Sequence, residues 1–161
     1  MLVKQLLSMK SDSAKPWIES ATILTIGPDA SLAEAAQLLA EKRIGAVVVS
    51  TDGETPMGIL SERDIVRQLG QHGPEVLSQP ISRFMTREVQ TCTVAEDALT
   101  VLERMTNGRF RHMPVVDDGG RMLGVISIGD AVSGRLKELA AEKEALTGLS
   151  GTLAQDSKVT L

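Results

Sequence analysis

A seven-residue corner occurs twice in this chain of 161 residues. Gly58-Ile59-Leu60-Ser61-Glu62-Arg63-Asp64 returns 66 positions later as Gly124-Val125-Ile126-Ser127-Ile128-Gly129-Asp130. The offset holds without a gap on both sides. Thr25 meets Thr91, Arg43 meets Arg109, Val49 meets Val115, and Asp52-Gly53 meets Asp118-Gly119. Near the N-terminus the offset becomes 78, with Val3, Leu6 and Leu7 matching Ile81, Phe84 and Met85. The difference is a 12-residue insertion in the first unit, holding Pro16 and Trp17. Two copies of about 60 residues each are marginal alone and must bury a face on one another.

Within a unit the pattern is short and mixed. Val3, Leu6 and Leu7 have helical spacing, and Ala21–Ile26 alternates weakly like a strand. Ser31, with Glu34 three residues on, is a capping-box start for a helix whose apolar face is Leu32, Ala35, Ala36 and Leu39. Ala46–Val49 and Met57–Leu60 flank an Asp-Gly turn and read as two strands. A helix then opens at Ser61. The expected architecture is α/β (α+β), two β-α-β-β-α units packed through their sheets as a pseudo-two-fold pair. The expected boundaries are residues 1–70 for the first unit, with the insertion around 9–20, and 71–79 for a linker. Residues 80–147 form the second unit, whose last helix is expected to end near Leu146, and 148–161 a flexible tail.

Composition removes several function classes. The formal net charge is −4, so the chain as a whole does not attract nucleic acid or an anionic membrane. Its one cysteine, Cys92, excludes a disulfide framework or a thiolate cluster. No leader-like or membrane-length apolar run is present, and a cytoplasmic location is the default expectation. Aromatic residues are 2% of the chain, so the core is aliphatic, and Trp17 reads as a packing anchor for the insertion. No nucleophile–base pair, metal-ligand cluster or Walker loop is found, so no enzyme activity is expected.

The repeated corner admits two readings. Ser61 and Ser127 are natural helix N-caps, and Asp64 and Asp130, three residues on, suit the helix macrodipole. Alternatively the Ser hydroxyl and first helix N–H groups face a phosphate, and the Asp accepts from ribose hydroxyls. The neighbouring glycines would then let a ligand approach the backbone.

The stretches Arg109-Phe110-Arg111-His112-Met113-Pro114-Val115-Val116-Asp117 and Leu123–Asp130 make the duplicated unit resemble a cystathionine β-synthase (CBS) domain. The pair resembles a Bateman module over about Val3–Leu136. The resemblance implies a regulatory module without a catalytic cofactor. It would bind an adenine nucleotide (AMP, ADP, ATP or NAD) or S-adenosylmethionine in clefts between the repeats. It implies that Asp64 and Asp130 hold riboses and that Ser61 and Ser127 sit by ribose or phosphate. Ala46-Val47 and His112-Met113-Pro114 would line the adenine pockets. Thr86 and Val89 would touch the base, with Ser8 and Ile23 as weaker counterparts. Arg63, Arg111 and His112 would meet phosphate. The Asp64 cleft is the better equipped, because the insertion interrupts the other. The resemblance also implies a homodimer and signalling, by a closing cleft, to a regulated protein. The competing reading is a ligand-independent dimeric scaffold.

Overall fold

A computed structural model describes residues 1–12 and 23–156. The insertion around Pro16 and Trp17, and the last residues 157–161, lie outside the described residues.

Helix α1 is Val3–Asp12, followed after the insertion by strand β1, Thr25–Ile26. Helix α2 (Leu32–Lys42) starts at the expected box: Ser31 Oγ accepts from the Glu34 amide and Glu34 from the Ser31 amide. Strands β2 (Ala46–Val49) and β3 (Gly58–Ser61) are antiparallel, with Val47 opposite Leu60. Strand β1 runs parallel to β2, with Ile26 opposite Val49. Helix α3 is Glu62–His72. Two 3₁₀ turns, Pro74–Ser78 and Ile81–Arg83, lead into the second repeat. That repeat holds helix α4 (Ala98–Gly108), strands β4 (His112–Val116) and β5 (Met122–Ser127), and helix α5 (Ile128–Asp156).

The duplication extends to individual hydrogen bonds. The Ser50 amide donates to the Ile26 carbonyl at 3.0 Å, and 66 positions on the Val116 amide donates to Cys92 at 2.9 Å. Cys92 thus replaces β1 in the second sheet, bridging Val115 in parallel. Both helices before the hairpins end on a left-handed arginine, Arg43 at φ 53° and Arg109 at φ 58°.

Two aliphatic cores form, and each takes in a segment from ahead of the other repeat. Val3 and Leu6 of α1 pack with Cys92, Val101, Met105 and Ile126, and the Val3 amide donates to the Glu96 carbonyl. Reciprocally, Val76, Ile81 and Met85 pack with Leu32, Val47, Leu60 and Ile65. Burying an exchanged segment in each core ties the two marginal repeats into one folding unit.

This exchange revises the reason for the repeated glycines. An added Cβ at Gly58 would strike the side chain of Met85, and one at Gly124 would come within 2.8 Å of Leu7 Cδ2. A side chain of the exchanged segment, not a ligand, occupies the space each glycine leaves. Helix α5 also runs past the end expected at Leu146, to Asp156. An interior glycine such as Gly148 costs a helix only about 1 kcal/mol, which does not by itself end one. No described helix is long and apolar enough to cross a membrane.

Candidate binding cleft

The start of α3 is set by local chemistry. Ser61 has extended backbone, and its Oγ accepts from the Asp64 amide at 3.2 Å. Asp64 Oδ2 accepts in return from the Ser61 amide and hydroxyl, both at 2.9 Å. The second repeat copies this closely. Ser127 Oγ accepts from the Asp130 amide at 3.0 Å, and Asp130 Oδ2 accepts from the Ser127 amide at 2.8 Å. The capping reading of the corner is therefore realised in both repeats. It uses one oxygen of Asp64; the other, Oδ1, lies 3.6 Å from the Arg67 guanidinium.

A cavity of about 920 Å³ opens over this corner. One wall belongs to the first repeat: Gly45, Ala46, Ile59, Ser61 and Glu62 to Asp64, with Arg67. The other comes from the second: Thr86, Glu88 to Gln90, Arg104, and Asn107 to His112. The walls are joined by backbone. Ile59 and Thr86 exchange hydrogen bonds at 3.0 and 2.9 Å, adding the Thr86 segment to the edge of β3. The His112 imidazole packs against Gly45, where a Cβ would sit 3.4 Å from Nε2.

Of the residues singled out in the sequence, Ala46, Ser61, Arg63, Asp64, Thr86, Val89, Arg111 and His112 meet in this cavity. Val47 and Met113 lie in the cores, 2% and 0% exposed, and Pro114 is buried beside Met113. Ser127 and Asp130 occupy the equivalent corner of the second repeat. Ile23, half-buried, and Ser8 are likewise outside this cavity.

Five polar residues of the far wall were not singled out as site residues in the sequence: Glu88, Gln90, Arg104, Asn107 and Arg109. The Arg104 guanidinium is held by Glu96 at 3.0 Å and by the Thr91 carbonyl at 3.0 Å. Arg109 lines the cavity from a backbone conformation that costs a non-glycine residue roughly 1–2 kcal/mol. Arg43 ends α2 in the same conformation, so the backbone reflects how both helices stop, and what is particular to Arg109 is that its guanidinium lines this cavity. Five arginines face three carboxylates in the lining, Glu62, Asp64 and Glu88, so a cationic cleft sits in an acidic protein. Among the described residues no group of three or more His, Cys, Asp or Glu side chains could hold a metal ion.

Two α/β repeats with exchanged leading segments and a cleft shared between them define a paired-repeat fold. The chain belongs to the CBS domain family, which it matches over residues 18–71 and 81–136. It is 40% identical to a CBS-domain containing protein of Agrobacterium tumefaciens, covering 84% of this chain and 99% of that one, with a TM-score of 0.74. It is 25% identical to a CBS domain protein of Pyrobaculum aerophilum complexed with AMP, covering 81% and 89% of the two chains, with a TM-score of 0.66. A CBS domain pair in complex with 5′-methylthioadenosine and S-adenosyl-L-methionine is 26% identical, covers 89% of this chain and 98% of that one, and has a TM-score of 0.66.

Proposed function

We propose that this chain is a non-catalytic regulatory module that binds an adenine nucleotide in the cleft over Asp64. The observation that carries the reading is the junction of Asp64 and Arg63 from one repeat with Thr86, Val89, Arg111 and His112 from the other, in one cationic cavity. Asp64 Oδ1 is the oxygen left to accept from ribose hydroxyls, and the α3 N-terminus favours the negative end of the ligand. Structural relatives in complex with AMP or S-adenosyl-L-methionine support an adenosine-containing ligand.

Signalling follows from the shared walls. A ligand that touches both repeats favours the arrangement in which both walls reach it, and shifts the population toward that state. The message would leave through the outer helix faces. Val66 on α3 is 68% exposed, and its counterpart Val132 and nearby Leu136 on α5 are 41% and 61% exposed. Exposed apolar residues at equivalent places on both repeats suit a homodimer or a regulated partner protein.

The test is calorimetric titration of nucleotide-free protein with AMP, ATP, NAD and S-adenosylmethionine. Asp64→Asn is the informative variant, because an amide oxygen can keep the cap bond while the charge is lost. Saturable binding, weakened tenfold or more in Asp64→Asn at unchanged melting temperature, supports the reading. Absence of binding by any of the four turns the assignment to a ligand-independent scaffold.

A further inference from the structure

We infer that the Asp64 cleft selects a nucleoside polyphosphate over a monophosphate, that Arg109 is a selecting residue, and that each chain takes one such ligand. The inference rests on the nucleotide reading above and refines it.

Of the five arginines in the lining, Arg104 is tied to Glu96 and Arg67 lies against Asp64. Arg63, Arg109 and Arg111 have no carboxylate partner among the described residues, and all three are exposed. A single phosphate carries about −1.5 to −2 charge at neutral pH, and one or two guanidiniums bonded bidentately satisfy it. Three unpaired guanidiniums on two walls, beside the amino end of α3, exceed that need. Glu62 and Glu88 are exposed in the same lining and oppose anions in general. Their repulsion grows with the charge of the ligand, and the five arginines of the lining outnumber the three carboxylates that exert it.

Arg109 adds a second observation. At φ 58° a glycine would be unstrained, yet the side chain present is a guanidinium at the cleft. Its equivalent, Arg43, ends α2 in the same conformation. At the Asp130 corner the rest of the set differs. The positions equivalent to Arg63, Arg111 and His112 are Gly129, Gly45 and Ala46. Among the described residues the set of Arg63, Arg111 and His112 is therefore assembled at the Asp64 corner, which is the place for one polyanion per chain.

The experiment is titration of the full chain with AMP, ADP and ATP at two salt concentrations, repeated on Arg109→Gly and Arg111→Gln. Arg109→Gly removes the guanidinium while keeping the left-handed backbone, so it should fold at least as well. The expected result is one ATP per chain, bound at least tenfold more tightly than AMP. Each variant should lose about ten- to hundred-fold for ATP and much less for AMP, and added salt should weaken ATP the more. Equal affinity for AMP and ATP overturns the inference and leaves the nucleotide reading intact. So does an ATP preference unchanged in both variants. Failure of every nucleotide to bind overturns both.

Discussion

Replacing Gly58 with alanine tests the reason for the repeated glycine. The new methyl would overlap Met85 Sδ and lie 2.9 Å from Cγ and 3.3 Å from Cβ. The sulfur can swing away, but Met85 is 7% exposed and packed in the first core, and its Cβ cannot follow without moving the backbone. Overpacking of this kind costs about 1–3 kcal/mol. Alanine recovers roughly 0.5–1 kcal/mol of the entropic penalty of glycine in a strand. The net loss should be about 1–2 kcal/mol, a fall in melting temperature of about 2–8 °C for a chain of this size. The assay is a double-mutant cycle by urea denaturation. Met85→Ala alone should cost about 2–5 kcal/mol. With Met85 shortened, Gly58→Ala should become neutral or stabilising. If the two losses instead add to within about 0.5 kcal/mol, Met85 is not what requires the glycine. The second repeat supplies an internal comparison. At Gly124 the close neighbour is the Cδ2 tip of Leu7, a freely turning end, so Gly124→Ala should cost less than Gly58→Ala.

Three other outcomes are expected. Ser61→Ala removes the acceptor of the Asp64 amide and a donor to its carboxylate, and should lower stability by about 1 kcal/mol in a denaturant titration. Asp52 accepts from the Ser50 hydroxyl and the Glu54 and Thr55 amides, the two amides above all holding its carboxyl far below the usual range. A depressed folded-state pKa gives stability that is fully present above about pH 4, the unfolded value, and lost as pH falls further. The melting temperature of Asp52→Asn should therefore be lower than that of the native protein at pH 6, and the gap should begin to narrow below about pH 4, closing only as pH falls through the depressed folded-state value. Cys92 is 1% exposed, and burial pushes its thiol up to about 12. A thiol reagent at pH 8 should label it only as fast as the protein opens, at a rate that rises with urea.

The duplication, the strand pairs and the Asp64 corner were legible because they rest on residue identities at a constant offset. Ser-x-x-Asp and Asp-Gly specify local bonds, and those bonds form. The exchange of leading segments was not legible. The match of Leu7 with Met85 says that they occupy equivalent places, but not in whose core, since an aliphatic residue suits either one. The same gap misassigned the glycines, because the side chain over Gly58 is 27 positions away in sequence. The α4 wall of the cleft escaped notice for a further reason. Asn107 and Arg109 lie where a helix ends, and polar residues at a helix end are ordinary. The left-handed backbone at Arg109 is shared by Arg43, and an arginine does not announce that conformation as a glycine would.

The two readings of the repeated corner turn out to be compatible, and their compatibility bears on mechanism. A carboxylate free in solution samples its rotamers, and a ligand must stop that motion to use it. In the capping box, Asp64 Oδ2 is fixed by two donors of Ser61, so Oδ1 is held in place before any ligand arrives. The cap therefore supports both the helix and the proposed site, and the same box at Asp130 shows that it forms independently of the arginine set. What differs between the corners is the opposite wall. On the nucleotide reading, Asp64 and Arg63 supply a rigid half-site from one repeat. Arg109, Arg111 and His112 complete it from the other, which the Ile59–Thr86 bridge joins to the first along that edge. Binding energy gained across that junction depends on how the repeats are set against each other. A ligand that engaged only one wall would bind without changing their arrangement. One long enough and charged enough to hold both would couple occupancy to the setting of the helices outside.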